Sequence, residues 1–363
     1  MPIILFVVAH RPQRSPSQRF RFEQYLERMK EAGYDYRFSW LIDEKDDRAF
    51  YQPGNLLNKS RIFLKSWFRR WRDVWTAGNY DLIFIQREAF MTGSVFFERM
   101  LKRKGVPLVF DFDDAIWHYD VSEANKRFGW LKRPSKTKEI IRLADVVIAG
   151  NSYLADYALR FNSNVIVIPT TIDTGYHRPP SGKVANDQSV CIGWTGSLTT
   201  IKHFRLIEPV LMRIAEKYGD RVRFKVIGDP NYNHPGLGIR GQAWNLHSEI
   251  ADLSEIDIGI MPLPDDEWAK GKCGFKGLQY MALEIPAVMS PVGVNREIIR
   301  HGENGLLAAT EQEWFEALSK LIDSPDLRRA LGKQARIDVQ QRYSVVSQWP
   351  VYKALLDGIL ASK

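Results

Sequence analysis

Two stretches in the second half of the chain carry cations where phosphate chemistry requires them. In VCIGWTGSLTTIKH, a β-branched run leads into Gly196, Ser197 and then Lys202. Gly196 lets the chain turn, and Lys202 falls in the first turn of the helix expected next. A cation beside the unpaired N–H groups of a helix start suits a diphosphate. In AKGKCGFKGLQYMALEIPAVMS, Lys272 and Lys276 flank a second helix start, behind the run DIGIMPLPDDEW. An exposed helix lysine is also the ordinary surface residue. The informative feature is therefore the pair of corners, each at the C-terminal end of an expected parallel strand, where open α/β sheets bind ligands.

The first half offers a different chemistry. The run VPLVFDFDDAIWH ends in Asp113 and Asp114. A carboxylate there can orient or deprotonate an acceptor hydroxyl, help hold a divalent metal, or cap the next element. Arg19 and Arg21, in SPSQRFRFEQYL, stand where the first helix begins and can either meet an anionic acceptor or lie on the surface. Residues 58–75, NKSRIFLKSWFRRWRDVW, place Leu64, Trp67, Phe68, Trp71, Val74 and Trp75 on one face at helical spacing, surrounded by lysines and arginines. Such a helix suits an anionic membrane surface, and equally a crossover helix packed on a sheet with its arginines outward.

The elements that must position these residues follow from periodicity. Short apolar runs at 3–9, 35–42, 81–86, 107–112, 145–150 and 165–169 alternate with helical segments, and a second series begins at 190–196 and continues at 223–228, 257–263 and 287–293. That alternation predicts βαβ units and two parallel sheets covered on both faces. A Pro-Pro and Gly-containing stretch without apolar period separates the series. The expected organisation is a first domain over 1–172, a linker over 173–185, a second domain over 186–340 and a helical segment over 341–363, where Trp349-Pro350 marks a bend.

Composition narrows the function classes. The chain has 363 residues, enough for two ordinary domains, and its 45% hydrophobic and 26% charged content leaves no room for a long disordered region. The net charge of +8 resides entirely in residues 1–170, which hold 28 Lys+Arg against 20 Asp+Glu, so that half attracts something anionic. No nucleic-acid-reading module is recognisable, so nucleic acid is not an expected partner. Two cysteines without zinc-site spacing fit a reducing compartment. The opening apolar run reads as a buried strand rather than a signal peptide, and no run is long enough to span a membrane. The expected location is cytoplasmic, peripheral on the inner membrane face if residues 58–75 touch lipid. The first βα turn, AHRPQRSPSQRFR, lacks the glycines of a dinucleotide site, and no Walker pattern occurs.

The ordered series G-S-L-x-x-x-K, DIGIMPL, F-K-G-L-Q-Y-M-A-L-E-I-P-A-V, S-P-V-G-V-N-R-E-I-I and H-G-E-N-G-L-L resembles the donor domain of family 4 (group 1) retaining glycosyltransferases of the GT-B fold. LADVVIAGNSYLADYAL and VIVIPTTID resemble the segment leading into that family's linker. The resemblance implies two Rossmann-like parallel-sheet domains facing a central cleft, with C-terminal helices crossing back. It also implies transfer of a sugar from a nucleoside diphosphate sugar, UDP- or GDP-linked, to a hydroxyl of a glycan or lipid-linked acceptor with retention, in glycan, polysaccharide or glycolipid biosynthesis. The nucleotide sugar is a substrate, and no cofactor or metal is implied.

Matched residue by residue, Lys202 takes the place of the family's diphosphate-binding lysine, and Ser197 stands where an arginine is usual. Lys272 and Lys276 are the candidates to meet the remaining leaving-group charge. Gly271 and Gln279 replace the family's paired glutamates, and Gln279 can still bond a ribose hydroxyl. Asp113 replaces the histidine of a His-Asp pair and Asp114 matches its aspartate. The residues read by themselves and the resemblance together give Asp113, Lys202 and Lys276 as catalytic, Gly196, Ser197, Lys202, Lys272, Lys276 and Gln279 as donor-binding, and Arg19, Arg21 and Asp114 as acceptor-binding. A GT-B sugar-nucleotide epimerase and a non-catalytic nucleotide- or glycan-binding protein are the alternatives.

Overall fold

The computed structural model describes residues 1–51, 56–118, 133, 135–180 and 189–361. Part of the expected linker, 181–185, lies outside them. The chain divides into two compact units, Met1–Thr170 with Gln348–Lys363, and Thr171–Ser347.

The first unit is built on β1 (Ile3–His10), β2 (Asp35–Ile42), β3 (Leu82–Gln86), β4 (Leu108–Phe112), β5 (Val146–Ala149) and β6 (Val165–Val167), in the order β2-β1-β3-β4-β5-β6. Every pairing is parallel. Parallel strands covered by helices are buried on both faces, which is why these runs are continuously apolar. Phe6 of β1 sits at the centre, its ring 4.6 Å from Phe22, 5.5 Å from Phe38 and 5.1 Å from Phe84. The strand order reverses between β1 and β3, so the crevice at their C-terminal ends is the expected ligand position of this unit.

The last residues belong to this unit. Tyr352 stacks on Tyr25 with centroids 4.7 Å apart, and the Tyr34 hydroxyl donates to Asp357. The bend expected at Pro350 does not end the helix, which runs Val345–Ala361 with the proline inside. The backbone tolerates it because the carbonyl that loses its partner belongs to Val346, an exposed residue.

The helix Leu56–Thr76 packs on this sheet in an unexpected sense. Its inward residues are Ile62, Ser66, Arg70, Asp73 and Val74, whereas Leu64, Phe68 and Trp75 are 55%, 68% and 73% exposed. The apolar face read from the sequence is therefore split. Trp67 turns sideways onto Phe90 and Phe97, Trp71 leans onto Phe96 and Phe97, Val74 goes inward, and Leu64, Phe68 and Trp75 face solvent. Arg70 goes in because the framework holds polar groups that need a donor. Its guanidinium reaches the carbonyls of Val8, Ser39 and Ala89 at 2.7, 3.1 and 2.5 Å and Asp73 at 2.9 Å.

The second unit holds β7 (Val190–Thr195), β8 (Val222–Ile227), a small antiparallel pair β9 (Asn233–His234) and β10 (Ile239–Arg240), then β11 (Ile258–Met261), β12 (Ala287–Met289) and β13 (Leu306–Leu307). The main sheet runs β13-β12-β11-β7-β8, again all parallel. Its order reverses between β7 and β11. Trp194, Phe204, Leu211, Val226, Ile260 and Leu318 lie in the core around it.

Removing Arg70 leaves the buried Asp73 with only the Ser39 hydroxyl and the exposed Arg72, 3.7 Å away, so Arg70→Met is expected to cost about 3 kcal/mol. Arg70→Met/Asp73→Leu should cost less than the single change, since no orphan carboxylate remains. Urea unfolding checks both; a double variant as unstable as the sum of the singles contradicts this account of the helix.

Candidate functional site

At the switch point of the second unit, one tyrosine joins the two corners. Tyr280, on the helix Phe275–Ala282, is fully buried beneath β11, where Gly259 leaves room for its ring; a Cβ at Gly259 would lie 2.3 Å from it. Its hydroxyl accepts the N–H of Thr195, the last residue of β7, at 2.8 Å. The helix that carries Lys276 and Gln279 is thus pinned to the strand that leads to Lys202. Beyond Thr195 the chain makes a close backbone approach. Gly228 has φ +114°, and a Cβ on it would lie 2.0 Å from the carbonyl oxygen of Gly196. A side chain at Gly196 would itself collide with the Trp194 ring at 2.1 Å. Glycine is required at both positions by contact.

The three lysines converge on aromatic faces. Lys202 Nζ and Lys272 Nζ stand 4.8 and 3.3 Å from the Trp268 ring centroid, and Lys276 Nζ stands 5.6 Å from that of Trp194. Aromatic faces attract cations, which lets three ammonium groups share one corner. His203 reports their combined field. The imidazole is 3% exposed, with Trp268 at 5.7 Å between ring centroids. Burial, and then Lys276, Lys272 and Lys202, push its pKa down to about 4. Neither ring nitrogen has a hydrogen-bond partner among the described residues. The arrangement is an electropositive corner that suits a multiply charged anion.

Two expectations change here. The helix bearing Lys202 is a single turn, Ile201–Phe204, and the N–H groups of Thr200 and Ile201 donate to the Ser197 carbonyl at 2.9 and 3.1 Å. Those donors are committed within the turn, so the lysines carry the attraction for an anion. Ser197 is exposed; its N–H donates to Thr200 Oγ1 at 2.9 Å. Gln279 is buried, its amide 3.3 Å from a Glu249 carboxylate oxygen that also accepts from Trp244 at 3.0 Å. Glu249 places a carboxylate beside Gln279, where this chain lacks one of the glutamates of the motif it resembles.

In the first unit, Asp113 lies past the end of β4. Its Oδ1 accepts from Arg87 Nε at 2.8 Å and its Oδ2 from Ser17 Oγ at 2.5 Å, while Ser17 Oγ accepts from Gln86 at 2.8 Å. Burial raises the Asp113 pKa, but Arg87 and Ser17 outweigh it and hold the carboxyl below its ordinary value. An ionised carboxylate of this kind is a weak base, better fitted to orient a hydroxyl than to deprotonate it. Asp114 lies 3.9 Å from Arg87. Arg87 holds a left-handed φ of 63°, a strained conformation for a side-chain-bearing residue at the end of β3.

Arg19 is half-buried over the Phe20 ring at 4.9 Å. Arg21 corrects the sequence reading. It is 2% exposed and forms a buried pair with Asp111 at 2.5 Å, also donating to the Ile168 carbonyl. Its guanidinium is committed to the framework because Asp111, at the buried end of β4, needs a cation.

Sequence reasoning gave no role to Trp268, His203, Tyr280, Ser17 or Arg87. The signal available was weak: Trp268 and His203 adjoin quoted lysine motifs, and Gln86-Arg87 ends a continuously apolar strand. Among the described residues no group of three or more His, Cys, Asp or Glu side chains could hold a metal ion.

Comparisons with known proteins identify the family and the fold. Residues 6–176 match the family described as Glycosyltransferase Family 4, and residues 189–324 match Glycosyl transferases group 1. The chain belongs to the group 1, family 4 glycosyltransferases. A protein from Xenopus tropicalis, glycosyltransferase 1 domain-containing protein 1, is 30% identical over 79 residues, which span 22% of this chain and only 23% of that protein. Among solved structures, Anabaena HepE in complex with UDP and glucose superposes with a TM-score of 0.67 at 16% identity, covering 98% of this chain and 100% of that one. Sucrose-phosphate synthase from Thermosynechococcus elongatus gives 0.65 at 16% identity over 100% of both chains. A Rickettsia africae glycosyltransferase gives 0.67 at 13%, covering 100% of this chain and 99% of that one. At these identities the structures establish a GT-B fold of two Rossmann-like units.

His203 provides a pH test of the lysine corner. Its folded pKa of about 4 lies below the ordinary 6.5. The stability linked to this neutral imidazole is therefore full above pH 6.5 and lost as pH falls through that value toward 4. The stability difference between wild type and His203→Gln should shift against the wild type across that window, measured by urea unfolding at several pH values. A pH-independent difference contradicts the crowding of three cations around the ring.

Proposed function

We propose that the glycosyltransferase takes a nucleoside diphosphate sugar as donor and transfers the sugar to an acceptor hydroxyl with retention of configuration. The observation that carries the proposal is the convergence of Lys202, Lys272 and Lys276 at the β7/β11 switch point. In this reading the diphosphate lies against the Gly196–Ser197 turn. The ammonium groups offset the charge that grows on the departing phosphate, which is electrostatic stabilisation of the transition state. Because they supply that charge themselves, the proposed reaction is metal-independent.

UDP-linked donors are the first to test, since HepE was solved with UDP and with UDP-glucose; GDP-linked donors come next. On the acceptor side, Asp113, held ionised by Arg87 and Ser17, is proposed to accept a hydrogen bond from the acceptor hydroxyl and so orient it, with Asp114, the next residue, and Arg19, two residues after Ser17, as further contacts. Gln279 is proposed to meet the ribose with Glu249 fixing its amide. The replacement of both motif glutamates, by Gly271 and Gln279, favours one second reading, a protein that binds nucleotide without turnover.

A panel of UDP- and GDP-sugars, assayed for nucleoside diphosphate release with and without acceptors, separates the readings. Acceptor-dependent release is expected. Lys202→Ala and Lys276→Ala should each lower the rate about 10²–10³-fold. Unchanged rates and unchanged nucleotide affinity in both variants would remove the donor site from this corner. Tight nucleotide binding without release from any donor would favour the binding protein.

A further inference from the structure

The outward face of the helix Leu56–Thr76 has no role in the chemistry described so far. At about 100° per residue, Leu57, Leu64, Phe68, Trp71 and Trp75 fall within about 40° of a single line along it. Four of them are strongly exposed: Leu57 87%, Leu64 55%, Phe68 68% and Trp75 73%. Large apolar side chains scattered singly over a surface need no explanation, but a continuous row does. Five aligned residues over a rise of about 27 Å make a straight apolar ridge.

The flanks of the ridge differ in chemistry. On one side Phe63 and Trp67 lean onto Phe90, and Trp67 stacks on Phe96 at 5.9 Å, which extends the apolar surface to a residue that is itself 38% exposed. On the other side stand Arg61 and Arg72, both exposed. Asp73 is the sole acidic residue of the helix; it is buried against Arg70 and lies 3.7 Å from Arg72, whose side chain stays 64% exposed. The outward face therefore combines aromatic and aliphatic groups with positive charge and no carboxylate of its own.

We propose that this face rests on an anionic lipid surface, with Leu57, Leu64, Phe68 and Trp75 entering the headgroup boundary and Arg61 and Arg72 meeting lipid phosphates. Three features select a bilayer as the occupant. The ridge is straight and long, which matches a plane. Its charge is complementary to anionic headgroups. Its tryptophans are amphipathic side chains suited to the interface between water and hydrocarbon. Among the described residues no helix is long and apolar enough to cross a membrane, so contact is in the plane of the surface. The proposal is independent of the donor site.

The test uses the full chain with vesicles of phosphatidylcholine alone and of phosphatidylcholine mixed with phosphatidylglycerol. The wild type should sediment with the anionic vesicles, bind less as salt is raised, and show a blue shift of tryptophan emission. Phe68→Ser/Trp75→Ser should reduce the bound fraction about tenfold or more, and Arg61→Glu/Arg72→Glu should abolish the preference for anionic over neutral vesicles. Both pairs lie on the exposed face, and an unchanged far-UV circular dichroism spectrum and urea midpoint confirm that each variant is folded. Binding by Phe68→Ser/Trp75→Ser equal to wild type, or failure of the wild type to bind anionic vesicles, overturns the proposal. So does a wild-type dimer that becomes monomeric on the same substitution, which would assign the ridge to a second copy of the chain.

Discussion

The candidate donor site depends on the hydrogen bond between the Tyr280 hydroxyl and the Thr195 N–H. β7 ends there, and its last N–H would otherwise be buried without a partner, a loss comparable to a full hydrogen bond. Tyr280 supplies the acceptor only because Gly259 in β11 leaves its ring a place beneath the sheet. One side chain thereby fixes both the strand that delivers Lys202 and the helix that carries Lys276. The spacing of the lysines is a property of the sheet's switch point, and the loops between them elaborate it.

The first unit places its charges by a related constraint. Carboxylates of the first unit that are buried or half-buried are matched by arginines that sequence alone would assign to the surface. Arg21 answers Asp111, Arg70 answers Asp73 and three carbonyls, and Arg87 answers Asp113. These pairs are costly to leave half-made. Each arginine so committed is withdrawn from the pool that could meet an anionic acceptor. Because each is matched by an aspartate of the same segment, the basic excess of residues 1–170 is left intact, and Arg61 and Arg72 are among its outward members.

The fold was legible because parallel strands buried on both faces are continuous apolar runs, and the ten runs read from the sequence all correspond to strands. The three not foreseen, β9, β10 and β13, are two residues long and carry no period. At the site, the positions of Lys202, Lys272 and Lys276 were legible, but the tryptophans they face were not, since contact between Trp268 and two separate lysines is set by tertiary packing. Helical arithmetic identified an apolar face on residues 58–75 but not its direction. That direction goes with Arg70, which turns inward to the carbonyls of Val8, Ser39 and Ala89 and leaves Phe68 and Trp75 outside. Arg21 was misread for the same reason: its partner lies 90 residues away.

The central claim is that one corner, organised by Tyr280 and lined by three lysines, receives the donor diphosphate. A crystal structure of the chain with UDP tests it most directly. The account predicts that the diphosphate lies against the Gly196–Ser197 turn, with at least two of the Lys202, Lys272 and Lys276 ammonium groups within about 3 Å of its oxygens. Diphosphate density at the β1/β3 end of the first unit, around Arg87, would contradict it.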